Sequence, residues 1–145
     1  MTKADSFIQI VLDTEEALLA SLLYDWPDGH WAEQELLNLR PQHFARESNG
    51  IIFQAILNLR GRGESCDFLS VAHELQLKYP KDWEGIAGRD YFRMLAETMR
   101  DHAMTFLHIR DWAKTIRSNY AIRSGRPIIE QARKQLSITD GGVEI

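Results

Sequence analysis

The sequence predicts an all-α chain: a compact multi-helix head followed by a two-helix antiparallel hairpin. Two observations carry this. Apolar residues recur at helical spacing along almost the whole chain, and residues that start or stop helices stand at the ends of these stretches. With 145 residues, 44% of them hydrophobic, and four tryptophans, the chain is long and apolar enough for one folded domain. The expected division is an N-terminal extension at 1–12, a helical head at 13–101, a hairpin at 102–136 and a tail at 137–145.

Asp13, three residues before Glu16, reads as a capping-box start. Leu18, Leu19, Leu22 and Leu23 then form one broad apolar face, and Pro27 and Gly29 end the helix. A short second helix is expected at 30–39, ending before Pro41, with Phe44 plugging the core from the following turn. The third helix carries Ile51, Ile52, Ala55, Ile56 and Leu59 and stops at Gly61-Arg62-Gly63. Asn49-Gly50 is poor helix interior, so its start falls between Glu47 and Ile51. Asp67 is a good N-cap for a fourth helix bearing Phe68, Val71, Ala72 and Leu75. Residues 79–88, with Pro80, Gly85 and Gly88, read as a loop. Asp90 then caps a fifth helix with Tyr91, Met94, Leu95 and Met99. Leu22, Phe44, Ile52, Ile56 and Leu75 are the expected head core.

From about 104 to 122, Ile109, Trp112, Ile116 and Tyr120 recur at spacings of three, four and four, with Phe106 and Ala113 on the same stripe. Ser124-Gly125-Arg126-Pro127 supplies a helix-ending glycine and a proline suited to a new helix start. Ile128, Ile129, Ala132 and Leu136 give that helix its apolar side. Two helices so joined lie antiparallel. The apolar stripe has two possible covers: another chain, or this chain's own head.

The formal charge of −4 conceals an asymmetry. Residues 1–39 hold eight acids and one base, whereas residues 102–136 hold seven bases and two acids. Such opposition suits head-to-tail attraction between subunits or an acidic partner, or it reflects two solvated faces. Arg110, Lys114 and Arg117 form a basic strip beside the stripe, the possible contact for nucleic acid or a partner. One cysteine, Cys66, excludes an internal disulfide framework. No apolar run approaches the roughly 20 residues of a membrane span, and 7–12, interrupted by Gln9, has no basic leader and no cleavage site of a signal peptide.

Catalytic machinery is not expected. The sequence holds no glycine-rich loop ending in Gly-Lys-Ser/Thr to cradle phosphates. His30, His43, His73, His102 and His108 never form the spacing of a helical zinc site. Glu15 and Glu16 diverge by about 100° on a helix, too far to act on one bond, and serve the helix N-terminus better. Cys66 lies beside Asp67 rather than a base. The expectation is no enzyme, no cofactor and no metal.

The run Glu15-Glu16-Ala17-Leu18-Leu19-Ala20-Ser21-Leu22-Leu23-Tyr24-Asp25 resembles the opening helix of the N-terminal domain of bacterial replicative, DnaB-type helicases. His43-Phe44, then Ile51-Ile52-Phe53-Gln54-Ala55-Ile56 to Gly63, then the segment from Asp67 to Leu75, is similar to that family's aromatic turn, helix, Gly-ended loop and Asp-capped helix. Gly88 with Tyr91, Leu95 and Ala96 is similar to the next helix, and 108–129 falls where the family carries its hairpin. The resemblance spans about 13–136. Asn49-Gly50 and Pro127 depart from the pattern, and the RecA-like motor is missing from this sequence.

The resemblance implies a non-catalytic scaffold that pairs subunits in the collar of a hexamer and docks primase and a helicase loader, in a bacterial cytoplasm. The implied oligomer interface is Phe106, Ile109, Trp112, Ile116, Tyr120, Ile128 and Ile129. DNA contact by the domain is implied to be weak or absent. Two other classes share these features: a free-standing relative, from a plasmid, phage or other mobile element, that modulates a host helicase or primase, and a direct nucleic-acid-binding module.

Overall fold

The computed structural model describes residues 3–29, 31–85, 88–101 and 106–139, with 126–139 given as helix backbone alone. The order is α1 (Lys3–Tyr24), α2 (Glu33–Leu37), a 3-10 turn (Pro41–His43), α3 (Glu47–Gly61), α4 (Phe68–Lys78), α5 (Pro80–Gly85), α6 (Gly88–Asp101) and α7 (Phe106–Thr139), with no strand among the described residues. The all-α class therefore stands. Leu22, Phe44, Ile52, Ile56 and Leu75 are all buried, together with Leu18, Leu19, Phe53 and Leu95, in one cluster.

Two helix ends follow from local chemistry as expected. The Asp67 carboxylate accepts from the Ser70 backbone N–H at 2.8 Å and so caps α4. Gly63 takes φ +73°, its N–H donates to the Arg60 carbonyl, and the Glu64 N–H reaches back to Leu59. That pair of bonds closes α3 as a Schellman motif, where a left-handed residue is needed and glycine carries no Cβ penalty.

Other boundaries moved. α1 begins at Lys3, ten residues before the expected cap, and Asp13 lies inside it, its side chain accepting from Gln9 Nε2 at 2.8 Å. The second helix shrinks to Glu33–Leu37; its expected start at His30 lies outside the described residues. The stretch expected as a loop contains α5, with Pro80 at its first position, where a missing N–H costs nothing. Asp90 sits within the first turn of α6 rather than capping it.

The largest correction concerns the hairpin. No turn occurs at 124–127: α7 is one helix of 34 residues, about 50 Å long. Gly125 and Pro127 together cost a helix about 4 kcal/mol. Breaking the helix there would instead strand four carbonyls and four N–H groups at two new ends. Good helix formers on both sides, Ala121 and Arg123 before and 130–136 after, carry the helix through. The Ser124 hydroxyl also bonds back to the Tyr120 carbonyl at 2.7 Å within it.

The start of α7 belongs to the head. Ile109, Ala113 and Ile116 share the cluster of Leu18 and Ile56, so a boundary at 101/102 cuts through a common core. α7 runs antiparallel to α1. Its early Arg110 stacks on Trp31, beyond the C-terminal end of α1, while Arg123 lies near enough to Glu15 to favour its ionised form.

Candidate partner interface

The expected interface stripe divides once the fold is in place. Ile109 and Ile116 are 1% and 0% exposed, buried by the head of their own chain. They are core residues and offer no surface to a second molecule. The physical reason is that α1 and α2 supply enough apolar surface to cover this half of α7, which the linear pattern does not reveal. Trp112 is half-buried against the same core, and its ring stacks on His108 with centroids 5.5 Å apart. Tyr120 is half-buried against His43, centroids 4.8 Å apart, with the Arg123 guanidinium 5.7 Å from its ring centre. Burial, then the charges of Arg117 and Arg40, hold the His43 imidazole below its ordinary pKa. The side chains of Phe106, Ile128 and Ile129 lie outside the described residues.

Beyond Tyr120 cover by the head thins, although Arg123 Nη2 still donates to the His43 carbonyl at 3.0 Å. Residues 121–124 are all exposed, and Ile122 shows 56% of its surface. The helix nevertheless continues to Thr139. A second uncovered apolar group stands at the other end of the chain. Phe7, Ile8 and Ile10 are 49%, 52% and 58% exposed on the first turns of α1, although Val11 one residue later is buried.

The basic strip is also divided. Arg117 is bound to Glu35 at 2.6 Å, which neutralises it. Arg110 lies over the exposed Trp31 ring, 5.1 Å from its centre. Lys114 stands half-buried between them. The strip therefore presents no uninterrupted row of free cations to a phosphate backbone.

A buried polar centre went unread in the sequence. Glu15, fully buried on α1, accepts from the backbone N–H of Ala45 at 2.6 Å and of Arg46 at 3.3 Å, and from Asn49 Nδ2 at 2.9 Å. It thus serves a helix N-terminus, but that of α3 rather than its own. Burial raises its pKa, and the donors from Asn49, Ala45 and Arg46 oppose the rise. The Tyr91 hydroxyl donates to Asn49 Oδ1, and burial lifts its pKa to about 12. The signal was Asn49-Gly50 itself: two poor helix formers inside a helix mark a tertiary requirement. Asn49 links α1 to α6, and Gly50 lets the Pro41 carbonyl approach.

Elsewhere, a shallow apolar groove of about 370 Å³ lies between the 3-10 turn and α3, lined by Pro41, Phe44, Ile51 and Tyr79 among others. The Cys66 thiol is held above its ordinary pKa by burial and lies 3.5 Å from the Ile56 carbonyl, an inert environment. Among the described residues no three His, Cys, Asp or Glu side chains gather to hold a metal, and no helix is long and apolar enough to cross a membrane.

The DnaB-like helicase N-terminal domain model matches residues 9–118, most of the chain. The chain belongs to that family. Its fold is similar to the crystal structure of the N-terminal domain of DnaB helicase from Mycobacterium tuberculosis, with a TM-score of 0.63 and 26% identity. That likeness covers 92% of this chain and 84% of the other. A comparison with curated proteins finds no match. The family match ends at residue 118, close to the exposed residues 121–124 of α7.

Proposed function

We propose that this chain is a non-catalytic scaffold domain of a replicative helicase, pairing subunits in the collar of the assembly and offering a docking face to primase or loader. One observation carries the reading beyond family membership. Residues 121–124 of α7 are exposed, and the helix continues to Thr139 through a stretch whose sequence carries Ile128, Ile129, Ala132 and Leu136. Most helical stability in proteins comes from packing of an apolar face rather than from propensity, so an apolar-bearing extension that also contains Gly125 and Pro127 is best served by a partner.

A direct nucleic-acid role is less well supported, because Arg117 is committed to Glu35 and the chain carries net negative charge. The test is the molar mass in solution by light scattering. Wild type should run as a dimer or larger, and Ile122→Asp should reduce that mass with the circular dichroism of a folded helical protein intact, since Ile122 is not part of the core. A wild type that is monomeric at high concentration would refute the pairing role.

A further inference from the structure

The 3-10 turn at Pro41–His43 is held differently on its two sides. Towards α3 it is fixed by packing: Phe44 is buried, and the Pro41 carbonyl lies against Gly50 with no room for a Cβ. Towards α7 it is held by contacts that gather on one residue. The His43 N–H donates to the Arg40 carbonyl at 3.0 Å, and the Arg40 N–H donates back to His43 Nδ1 at 2.9 Å. The His43 carbonyl accepts from Arg123 Nη2 at 3.0 Å, and the imidazole packs on the Tyr120 ring, centroids 4.8 Å apart. Arg123 and Tyr120 both belong to α7.

These bonds fix the protonation state of the ring. An Nδ1 that accepts a hydrogen bond carries no proton, so the imidazole is neutral with its hydrogen on Nε2. Protonation would turn Nδ1 into a donor aimed at the Arg40 N–H, and the reciprocal pair would break. The surroundings also resist a positive charge. Arg40 stands beside the ring in the turn, and α7 brings Arg117 and Arg123. The nearby carboxylates are engaged elsewhere: Glu35 of α2 is bound to Arg117 at 2.6 Å, and Glu15 of α1 accepts from Ala45, Arg46 and Asn49. Glu47 of α3 lines the groove beside Pro41 and Gln42.

We propose that His43 is a proton-sensitive clasp between the head and α7: the neutral ring ties the 3-10 turn to Tyr120 and Arg123, and protonation of the ring opens that tie. The opening falls on the α7 side, because Phe44 and Gly50 keep the rest of the turn on α3. The clasp stands next to the exposed residues 121–124, so its state sets how firmly α7 is held where it leaves the head. Burial, then Arg117 and Arg40, hold the ring below the ordinary value of 6.5. The contribution of the clasp is therefore complete above 6.5 and is lost as pH falls through the lowered value. The clasp is independent of the pairing role, since every contact in it lies within one chain.

The test follows the full chain by NMR from about pH 8 to 4. The His43 Cε1–H resonance should titrate with a midpoint below 6.5, and the Tyr120 ring protons should shift with the same midpoint. Amide protection of residues 119–124 should fall about two- to tenfold across that transition, the contribution of one hydrogen bond. His43→Asn carries an acceptor at the same δ position and does not titrate, so it should keep the protection and abolish the Tyr120 shift. His43→Leu offers no acceptor and should show the lowered protection at every pH, with the circular dichroism of a folded protein. If His43→Leu does not fold, the His43→Asn comparison decides alone. A transition that persists in His43→Asn would overturn the clasp and point to Glu15, whose charge Arg123 also feels. A His43 midpoint at or above 6.5, or Tyr120 resonances indifferent to the titration, would overturn it as well.

Discussion

Gly50→Ala tests the close approach between the 3-10 turn and α3. In an exposed helix interior this change stabilises by about 1 kcal/mol. At Gly50 a Cβ would overlap the Pro41 carbonyl oxygen and stand 3.3 Å from its carbon and 3.8 Å from Phe44 Cβ. Two of these are backbone atoms, which cannot rotate away, so the turn as a whole must retreat from α3. That movement disturbs Phe44, which is buried with its ring 5.2 Å from Phe53. Overpacking of this kind costs about 1–3 kcal/mol. After subtracting the propensity gain, the expected loss is about 0–2 kcal/mol, or at most roughly 8 °C in Tm for a chain of this size. Gly61→Ala is the control: it lies in the last turn of α3 with nothing within 4 Å of the added methyl. It should gain about 0.5–1 kcal/mol. Thermal and urea unfolding of both variants decide the matter. If Gly50→Ala gains stability as Gly61→Ala does, the turn does not press on α3 and the packing explanation fails.

Three further outcomes are expected. Ile116→Asp should cost more than about 4 kcal/mol by burying an unpaired charge, seen as lost helicity in circular dichroism; a helical protein of lower mass would instead place Ile116 between chains. Asp67→Ala should lower stability by about 0.5–2 kcal/mol in urea through loss of the α4 cap; an unchanged midpoint would show the cap to be idle. Glu74, bound by Arg62 at 2.7 Å, has its pKa drawn down to about 2, first by that hydrogen bond. Its contribution is therefore present above the ordinary glutamate pKa near 4.5 and lost as pH falls towards 2. Arg62→Met should flatten stability across that window, and an unaltered acid profile would exclude the pair as its source. Glu15 has the opposite sign: burial raises its pKa, so what it adds as an acid declines as pH rises through the raised value.

The helices of the head were legible in the sequence because their causes are local. The 3.6-residue recurrence of Leu18, Leu22, Ile52, Ile56 and Leu75, the Asp67 cap and the Gly63 terminator act through bonds within one or two turns. The family was legible for the same reason, since an ordered set of such elements survives in the residues themselves. Four outcomes needed the tertiary structure. The Ile109/Ile116 stripe looks the same whether another chain or the chain's own α1 covers it, because apolar burial has no direction. Gly125 and Pro127 read as a turn until the alternative, a helix kept whole between good formers, is weighed against two local penalties. Glu15 looked like an ordinary first-turn acid, yet its three donors come from residues 30 to 34 positions away. Gly50 looked like a defect until Pro41 was seen beside it. A sequence specifies which groups want burial or a partner; which group meets which depends on distances that only the packed chain sets.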